Sequence, residues 1–508
     1  MDDGVLVSTD PEALRLAFDA MCTIGPQLGL HANPSKCKLW TSKVGHKWEG
    51  FPQDVEIMEG DGLKVLGSAV GGQESATLIV GNRVKRVEEL VALLPCLENS
   101  VMQYHLLRDC LGYPKVNFAF RTTDPATIPL CVASFDAVIR SACKGLFGNH
   151  VLTNTDISRL GLPIKFGGFG IIFARDEAPS AYLGSLCSSA GLQSEILSHL
   201  CSGSGFKRLS KVKSAKLLRS FCESHSVKDP PELEEILKAS KPQNMLSSLA
   251  AKARARDLLA ACNPLEKRQL EACALPSSGA WLDHHSYNPR DYMSSLEWLV
   301  AAKFRLGVPI FTSQVQCPEC AAGVLDVFGR HATFCQGSND CVGRHDAVKE
   351  ELLSLMAGAQ FSVDKETQHL LLDGNEQRPA DVYVSAYTDG YPLAVDVTGV
   401  DVLCPSLSVD LGVLEILERK GDEKHHKYEA QCAAVGIGFK AFVFGSLGGF
   451  GTEASTMIKT LGKRIARVKM CLGSKEIAFI RRRLASIVQR RQASACIRRG
   501  EGAGVLIF

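Results

Sequence analysis

The chain has no apolar run approaching the roughly 18–20 residues that cross a bilayer, which argues against an integral membrane protein built on helices. Its opening, Met1-Asp2-Asp3-Gly4, lacks the basic and apolar regions of a secretory leader. A bulk charge of one sign is missing too. Lys+Arg 57 against Asp+Glu 55 leave a net +2, so the chain as a whole has no electrostatic claim on nucleic acid. There is no internal repeat and no long low-complexity tract. With 45% hydrophobic and 22% charged residues, wholesale disorder is excluded as well.

What is present is unevenly placed. Between Lys459 and Arg499 stand 13 basic residues and one acidic residue, Glu476, so the C-terminal stretch is cationic on an otherwise acidic chain. The 19 cysteines run from Cys22 to Cys496. A chain of 508 residues can build hydrophobic cores without disulfide staples. The cysteines therefore read as reduced thiols of an intracellular protein, and clustered ones as metal ligands.

The hydrophobic spacing predicts a strand at Val5–Val7, a helix from Pro11 to Met21 and a short strand from Lys64 to Gly67. Helical periodicity then dominates from about 82 to 147 and again from 181 to 305. Gly167-Gly168-Phe169-Gly170, Pro230-Pro231 and Pro276-Ser277-Ser278-Gly279 break these runs. A helix is expected over Asp346–Met356. Strands follow at Asp381–Val384, Leu393–Val397 and Phe439–Phe444, with a charged helix from about 409 to Ala434 between the last two and basic helices at the end.

Three constellations carry chemistry. Cys317, Cys320, His331 and Cys335 have the spacing C-x2-C-x10-H-x3-C, four soft or borderline donors in one small knuckle, as tetrahedral Zn2+ requires. A closed set of four leaves no open position, so the expected role is structural; Cys341 and His345 lie near enough in sequence to replace a ligand. Asp381 and Asp396 each belong to a short β-run, with a turn at Tyr387–Tyr391 between them. Paired carboxylates on adjacent strands can hold Mg2+ against a phosphodiester, while a lysine such as Lys424 stabilises developing charge. Adjacent Asp2 and Asp3 before Val5-Leu6-Val7 are a third candidate metal-binding pair. His425-His426, beside Lys424 and Lys427, are expected to face solvent or phosphate.

The order of these features resembles a family. Asp2-Asp3, then Gly29-Leu30-His31-Ala32-Asn33-Pro34-Ser35-Lys36-Cys37, then Leu63-Lys64-Val65-Leu66-Gly67 resemble the last three palm motifs of a non-LTR retrotransposon reverse transcriptase. Arg378-Pro379-Ala380-Asp381, Asp396-Val397-Thr398 and Lys424-x3-Tyr428 resemble the restriction-like, PD-(D/E)xK endonuclease that some of these elements carry. Phe166-Gly-Gly-Phe-Gly-Ile171, Ser277-Ser-Gly-Ala-Trp281, Phe304-Arg-Leu-Gly-Val-Pro309, Arg344-His345-Asp346 and Ser446-Leu-Gly-Gly-Phe450 fall in matching order. Two departures are visible: Ala380 separates Pro379 from Asp381, and Thr398 stands where many such nucleases place lysine.

The resemblance implies a multidomain α+β chain. Its parts would be a partial reverse-transcriptase palm (1–75), a thumb-like helical region (76–185), a helical linker (186–310), a zinc knuckle (311–345), an α/β restriction-endonuclease-like domain (346–455) and a basic helical tail (456–508). Asp381 and Asp396 would bind Mg2+, Lys424 and Tyr428 would assist, and Glu366 would supply an extra acid. Asp2 and Asp3 would remain as polymerase metal ligands. The palm segments that precede them in the family are missing here, so polymerisation by this chain alone is not expected. Arg481, Arg482, Arg483, Arg490 and Arg491 would neutralise phosphates without reading bases. The implied partners are target DNA and element RNA, with no membrane, action in the nucleus, and room for a homodimer. The expected reaction is metal-dependent nicking of DNA that primes reverse transcription. The alternative from another class is a remnant that binds nucleic acid without cutting it, and a fragment of a longer gene product is a third reading.

Overall fold

The computed structural model describes residues 4–43, 46–200, 205–284, 292–320, 323–365, 380–387, 390–408 and 410–507. The protein is a multidomain, mixed α/β chain, mostly helical with small sheets. Contacts divide it into two compact units. One comprises Met1–Ala92, Asp109–Ile139 and Phe173–Leu249; the other comprises Leu93–Arg108, Arg140–Ile172 and Ala250–Phe508.

In the first unit, Pro11–Ile24 is helical because Pro11 sits where no N–H is needed and the Asp10 carboxylate accepts the N–H of Glu12. It buries Phe18 against Leu39 and Val55. Gly62–Val65 and Ser68–Gly71 form a hairpin. The two residues at its tip, Leu66 and Gly67, both have positive φ (47° and 83°), the backbone that matches strand twist in a two-residue turn. Asp61 then caps the helix Gln73–Val91, accepting the N–H groups of Glu74 and Ser75 at 2.8 Å each. The strand expected at Val5–Val7 does not form. A strand needs a hydrogen-bonded neighbour, and among the described residues none pairs with this segment, whose side chains are exposed. Asp2 and Asp3 lie outside the described residues.

The second unit carries the candidate sites on one mixed sheet. Helix α1 (Asp340–Gly358) leads into strands β1 (Val363–Lys365), β2 (Val382–Val384) and β3 (Leu393–Val400). Helix α2 (Val413–Ala434) crosses to β4 (Gly438–Gly445), followed by α3 (Thr452–Val468) and α4 (Gly473–Ala503). The order is β4-β3-β2-β1; β1, β2 and β3 run antiparallel and β4 is parallel to β3, as a crossover through a helix requires. Alternation along the strands sorts the side chains. Val382, Val384, Leu393, Val395, Val397, Phe442 and Phe444 pack with Val348 and Leu352 of α1, Met457 and Leu461 of α3, and Ile480, Leu484 and Val488 of α4. Asp396 and Thr398 take the other face, toward α2.

The basic stretch is helical, as expected, but it does not stand apart from the fold. Ile480, Leu484 and Val488 are fully buried, each contributing roughly 1.5–3 kcal/mol through the area it removes from water. Arg483 pairs with Glu351 at 3.0 Å, and Arg499, 0% exposed, pairs with Asp340 at the start of α1. Part of the cationic charge is therefore spent inside the unit. Arg491 is exposed, while Arg481, Arg482, Arg483 and Arg490 are half-buried.

The glycine- and serine-rich motifs meet in this unit. Arg305 is fully buried, and its guanidinium donates to the carbonyls of Gly168 (3.1 Å), Ile164 (3.4 Å) and Cys273 (3.1 Å). It also lies against the Phe169 ring, 5.8 Å from its centroid. Ser278 Oγ donates to Leu447 O at 2.6 Å, and Gln489 of α4 to Ser446 O at 3.1 Å. Gly449 is required by close approach: a Cβ there would sit 2.7 Å from Leu275 Cδ1. Segments far apart in sequence are thus joined around the sheet through backbone carbonyls.

Candidate functional site

The knuckle begins as a short hairpin, Val315–Gln316 with Val324–Leu325, and ends in a one-turn helix, His331–Phe334. Cys317 follows the first strand, its N–H bonded to Gly323 O at 2.8 Å. Asp326 fixes the helix start by accepting the N–H of His331 at 3.0 Å. The donor atoms of Cys317, Cys320, His331 and Cys335 all lie within 4.8 Å of one another. Cys317 Sγ is 3.9 Å from Cys335 Sγ, and Cys320 Sγ is 3.2 Å from His331 Nε2. Two thiolates on one tetrahedral Zn2+ stand about 3.8 Å apart, close to the Cys317–Cys335 separation, so the donor set fits the ion. Gly323 has no room for a side chain, because a Cβ would fall 2.1 Å from His331 Cε1.

The electrostatics around these donors suit a metal. Burial opposes ionisation of Cys317, but the N–H groups of Glu319 and Cys320 aimed at its sulfur bring its pKa below the ordinary thiol value. Burial and the charge of Arg499 hold His331 below the usual imidazole value, favouring the neutral ring that ligates. Neither Cys341 nor His345 joins the set. Cys341 Sγ points at the carbonyls of Thr333 (3.6 Å) and Cys335 (3.7 Å), and His345 turns to Asp381.

The knuckle is tied to the sheet by Asp401, just beyond β3. Its carboxylate accepts from Thr333 Oγ1 in the knuckle helix and, at 2.7 Å, from Ser446 Oγ beyond β4. Arg344 adds a second tie, from Thr333 O (2.9 Å) to Gln492 of α4 (2.5 Å).

At the sheet, the ladder pairs Val382 with Val395, Tyr383 with Ala394 and Val384 with Leu393. The ladder ends there: Asp381 immediately precedes β2, and its N–H bonds Val395 O at 3.0 Å, next to Asp396 on β3. The two carboxylates take different partners. Asp396 is buried, accepts from Thr398 Oγ1 at 2.6 Å, and pairs with Lys424 Nζ of α2 at 3.0 Å. Tyr428, one turn along α2, is buried against Phe439 (5.8 Å between centroids), and Lys424 lies 5.9 Å from its ring. Lys427 lies over the same ring at 4.7 Å. Asp381 accepts the N–H of Val397 at 2.8 Å and contacts His345 Nε2 at 3.2 Å. Burial alone would raise its pKa, but those two hydrogen bonds hold it below the usual carboxylate value. Glu366 and Arg378-Pro379 lie outside the described residues.

Sequence reasoning missed the partners of these residues. Thr398, which departs from the family pattern, supports Asp396. His345, grouped with the knuckle, belongs to Asp381; the signal was its place in the first turns of a helix that precedes the sheet. His425 does not face open solvent, because its ring nitrogens contact Glu429 at 3.1 Å and Glu453 at 2.9 Å.

That last cluster makes stability depend on pH. Burial works against the His425 charge, but Glu453 and Glu429 more than offset it, so its pKa lies above the ordinary value. Burial likewise opposes ionisation of Glu453, yet His425, the Ala441 N–H and Lys440 bring its pKa below the ordinary value. The histidine contribution is complete below the unfolded value of about 6.5 and fades as pH rises through the raised folded value. The glutamate contribution fades as pH falls through its lowered value. His425→Gln should therefore cost about 1 kcal/mol near pH ~5.5 and much less near pH ~9. Thermal melts at both conditions check this; an equal loss at the two would contradict it.

No family model matches this chain, and no curated protein is similar to it. Among the described residues no helix is long and apolar enough to cross a membrane.

Proposed function

We propose that the chain is the C-terminal part of a non-LTR retrotransposon reverse transcriptase/endonuclease, and that its second unit nicks DNA in a metal-dependent reaction. The observation that carries this reading is the meeting of two aspartates at one end of the sheet, Asp381 just before β2 accepting the Val397 N–H of β3, and Asp396 on β3 paired with Lys424. Carboxylates are the hard oxygen donors that Mg2+ prefers. Asp381 and Asp396 would hold the ion, which when bound polarises a scissile phosphate. Lys424 presents its ammonium where charge develops on that phosphate, and Tyr428 braces the lysine from beneath. Glu366 completes the proposed acidic set.

The Cys317, Cys320, His331 and Cys335 cluster is read as structural Zn2+ beside the nuclease. Exposed Arg491 and the half-buried Arg481, Arg482, Arg483 and Arg490 are read as contacts to the phosphates of target DNA or element RNA. Nuclear action and priming of reverse transcription at the nick follow from the same reading, with Asp2 and Asp3 as polymerase metal ligands.

The test is plasmid nicking by the full chain with Mg2+ and with EDTA. Nicking that requires Mg2+ and falls at least about 100-fold in Asp396→Ala is expected, because losing a ligand outright should cost no less than the roughly 10- to 100-fold typical of losing a partner that only orients one. DNA binding with no nicking by a folded, zinc-loaded protein would favour the non-cutting remnant instead.

A further inference from the structure

We propose that His345 is a positioning residue of the cleavage site: it clamps one oxygen of Asp381 so that the other is presented to a divalent cation. This rests on the nuclease reading above. His345 lies near the start of α1, and its Nε2 reaches Asp381 Oδ2 at 3.2 Å. The same oxygen accepts the Val397 N–H at 2.8 Å, so a helix and a strand hold it from two directions. The Asp381 backbone is itself fixed, its N–H bonded to Val395 O at 3.0 Å. Among the described residues no hydrogen bond reaches Oδ1.

The imidazole is fixed in turn. His345 Nδ1 contacts Asp346 Oδ1 at 3.2 Å, and that oxygen accepts from Lys349 Nζ at 2.8 Å. The Lys349 side chain is only 4% exposed. Lys349, Asp346, His345 and Asp381 thus form one continuous chain of contacts, in which each group orients the next. Three of the four sit within two turns of one helix, a rigid mount.

An aspartate has two soft torsions, and a metal-binding carboxylate left free to turn loses affinity. Partners that orient such ligands are typically worth 10- to 100-fold in metal affinity or activity. A plain tie between helix and sheet would need one contact to Asp381. It would not need a second carboxylate on the far ring nitrogen, nor a buried lysine behind that.

The experiment uses the full, zinc-loaded chain and Mn2+ as probe, with free Mn2+ read by electron paramagnetic resonance. The Mg2+ concentration giving half-maximal nicking is read in parallel. The proteins are wild type, His345→Ala, His345→Gln, and Asp381→Ala with Asp396→Ala as the metal-free reference, all at a temperature where circular dichroism shows them folded. His345→Ala should weaken Mn2+ binding and raise the Mg2+ requirement by about 10- to 100-fold. His345→Gln, which keeps an N–H near the position of Nε2, should recover most of the loss. If His345→Ala binds and nicks as wild type does while the aspartate variant does neither, His345 is only a structural tie and the proposal is overturned with the nuclease intact. If wild type binds no more Mn2+ than the double aspartate variant, the nuclease reading and this proposal fall together.

Discussion

Stripping metal from the knuckle, or replacing Cys335 with serine, should destabilise the whole second unit rather than a local loop. Bound zinc contributes on the order of 10 kcal/mol to isolated zinc-dependent modules. Here the hairpin and the His331–Phe334 turn also pack on a large core, so part of that is replaced by ordinary burial. A net loss of about 3–5 kcal/mol is the expectation, equivalent to roughly 10 °C in melting temperature. The loss should spread because the knuckle is wired to two distant helices. Arg498 of α4 pairs with Glu319, inside the Cys317–Cys320 turn, at 3.1 Å. Arg499 pairs with Asp340 at the head of α1 and donates to Ser338 Oγ at 2.7 Å. Burial alone would disfavour the Arg499 charge, but Cys335 and Asp340 raise its pKa instead. Without an ion, mutually repelling thiolates would have to protonate, and this guanidinium would lose one of its two anionic partners. Elemental analysis of the purified protein, with melts before and after chelation, checks the prediction. A protein that carries no stoichiometric zinc, or a Cys335→Ser variant that melts with wild type, would refute it.

The parts of this architecture that could be read from sequence are those encoded by short-range spacing. The donor set at 317, 320, 331 and 335 needs only a turn and one helical step, and it comes together as spaced. Strands β2, β3 and β4 fall where expected because their β-branched and aromatic runs leave little choice. The pairing of Val382 with Val395 then brings Asp381 and Asp396 to the same end of the two strands. Lys424 on Asp396 requires the crossover helix to pack on one particular face of β3, and the spacing K-x3-Y supplies that by placing a buried Tyr428 one turn beyond the lysine.

What sequence hid depends on partners far away in the chain. The C-terminal segment reads as a free cationic arm because its buried face contains Gln489, Gln492 and Arg499 among the alanines and aliphatics. Polar residues on the inner face blur the apolar stripe that marks a core helix. They are buried because carbonyls and carboxylates from Ser446, Asp340 and elsewhere in the unit await them, and no local pattern announces such partners. Sequence spacing offers His345 as a replacement ligand for the knuckle for the same reason: its partner in the fold is 36 residues on. Val5–Val7 has the composition of a strand, yet composition supplies no neighbour to pair with.

Arg305→Ala should be among the most damaging single substitutions in the chain. The side chain is 1% exposed, and among the described residues it forms no ion pair. Burial pulls its pKa below the ordinary arginine value, but three carbonyl oxygens from Gly168, Ile164 and Cys273 and the face of Phe169 hold the guanidinium in place of a carboxylate. Those carbonyls belong to segments separated by more than a hundred residues, and the fork is their common donor. Alanine would leave all three buried acceptors without it and open a cavity of guanidinium size. A buried acceptor left without its donor costs roughly 1–3 kcal/mol, so losing the common donor of three carbonyls should cost about 3–5 kcal/mol. Arg305→Lys should recover little, because a single ammonium cannot reach three acceptors spread across a planar fork. Gly279 makes the space tighter still: a Cβ there would stand 3.0 Å from Arg305 Nη2. Denaturant unfolding followed by tryptophan fluorescence reads the effect directly, since Trp281 and Trp298 are buried in this unit and Trp281 is two residues beyond Gly279. An Arg305→Ala protein unfolding at the wild-type midpoint would show that the carbonyls are satisfied without the guanidinium, and that the meeting of these motifs rests on apolar packing alone.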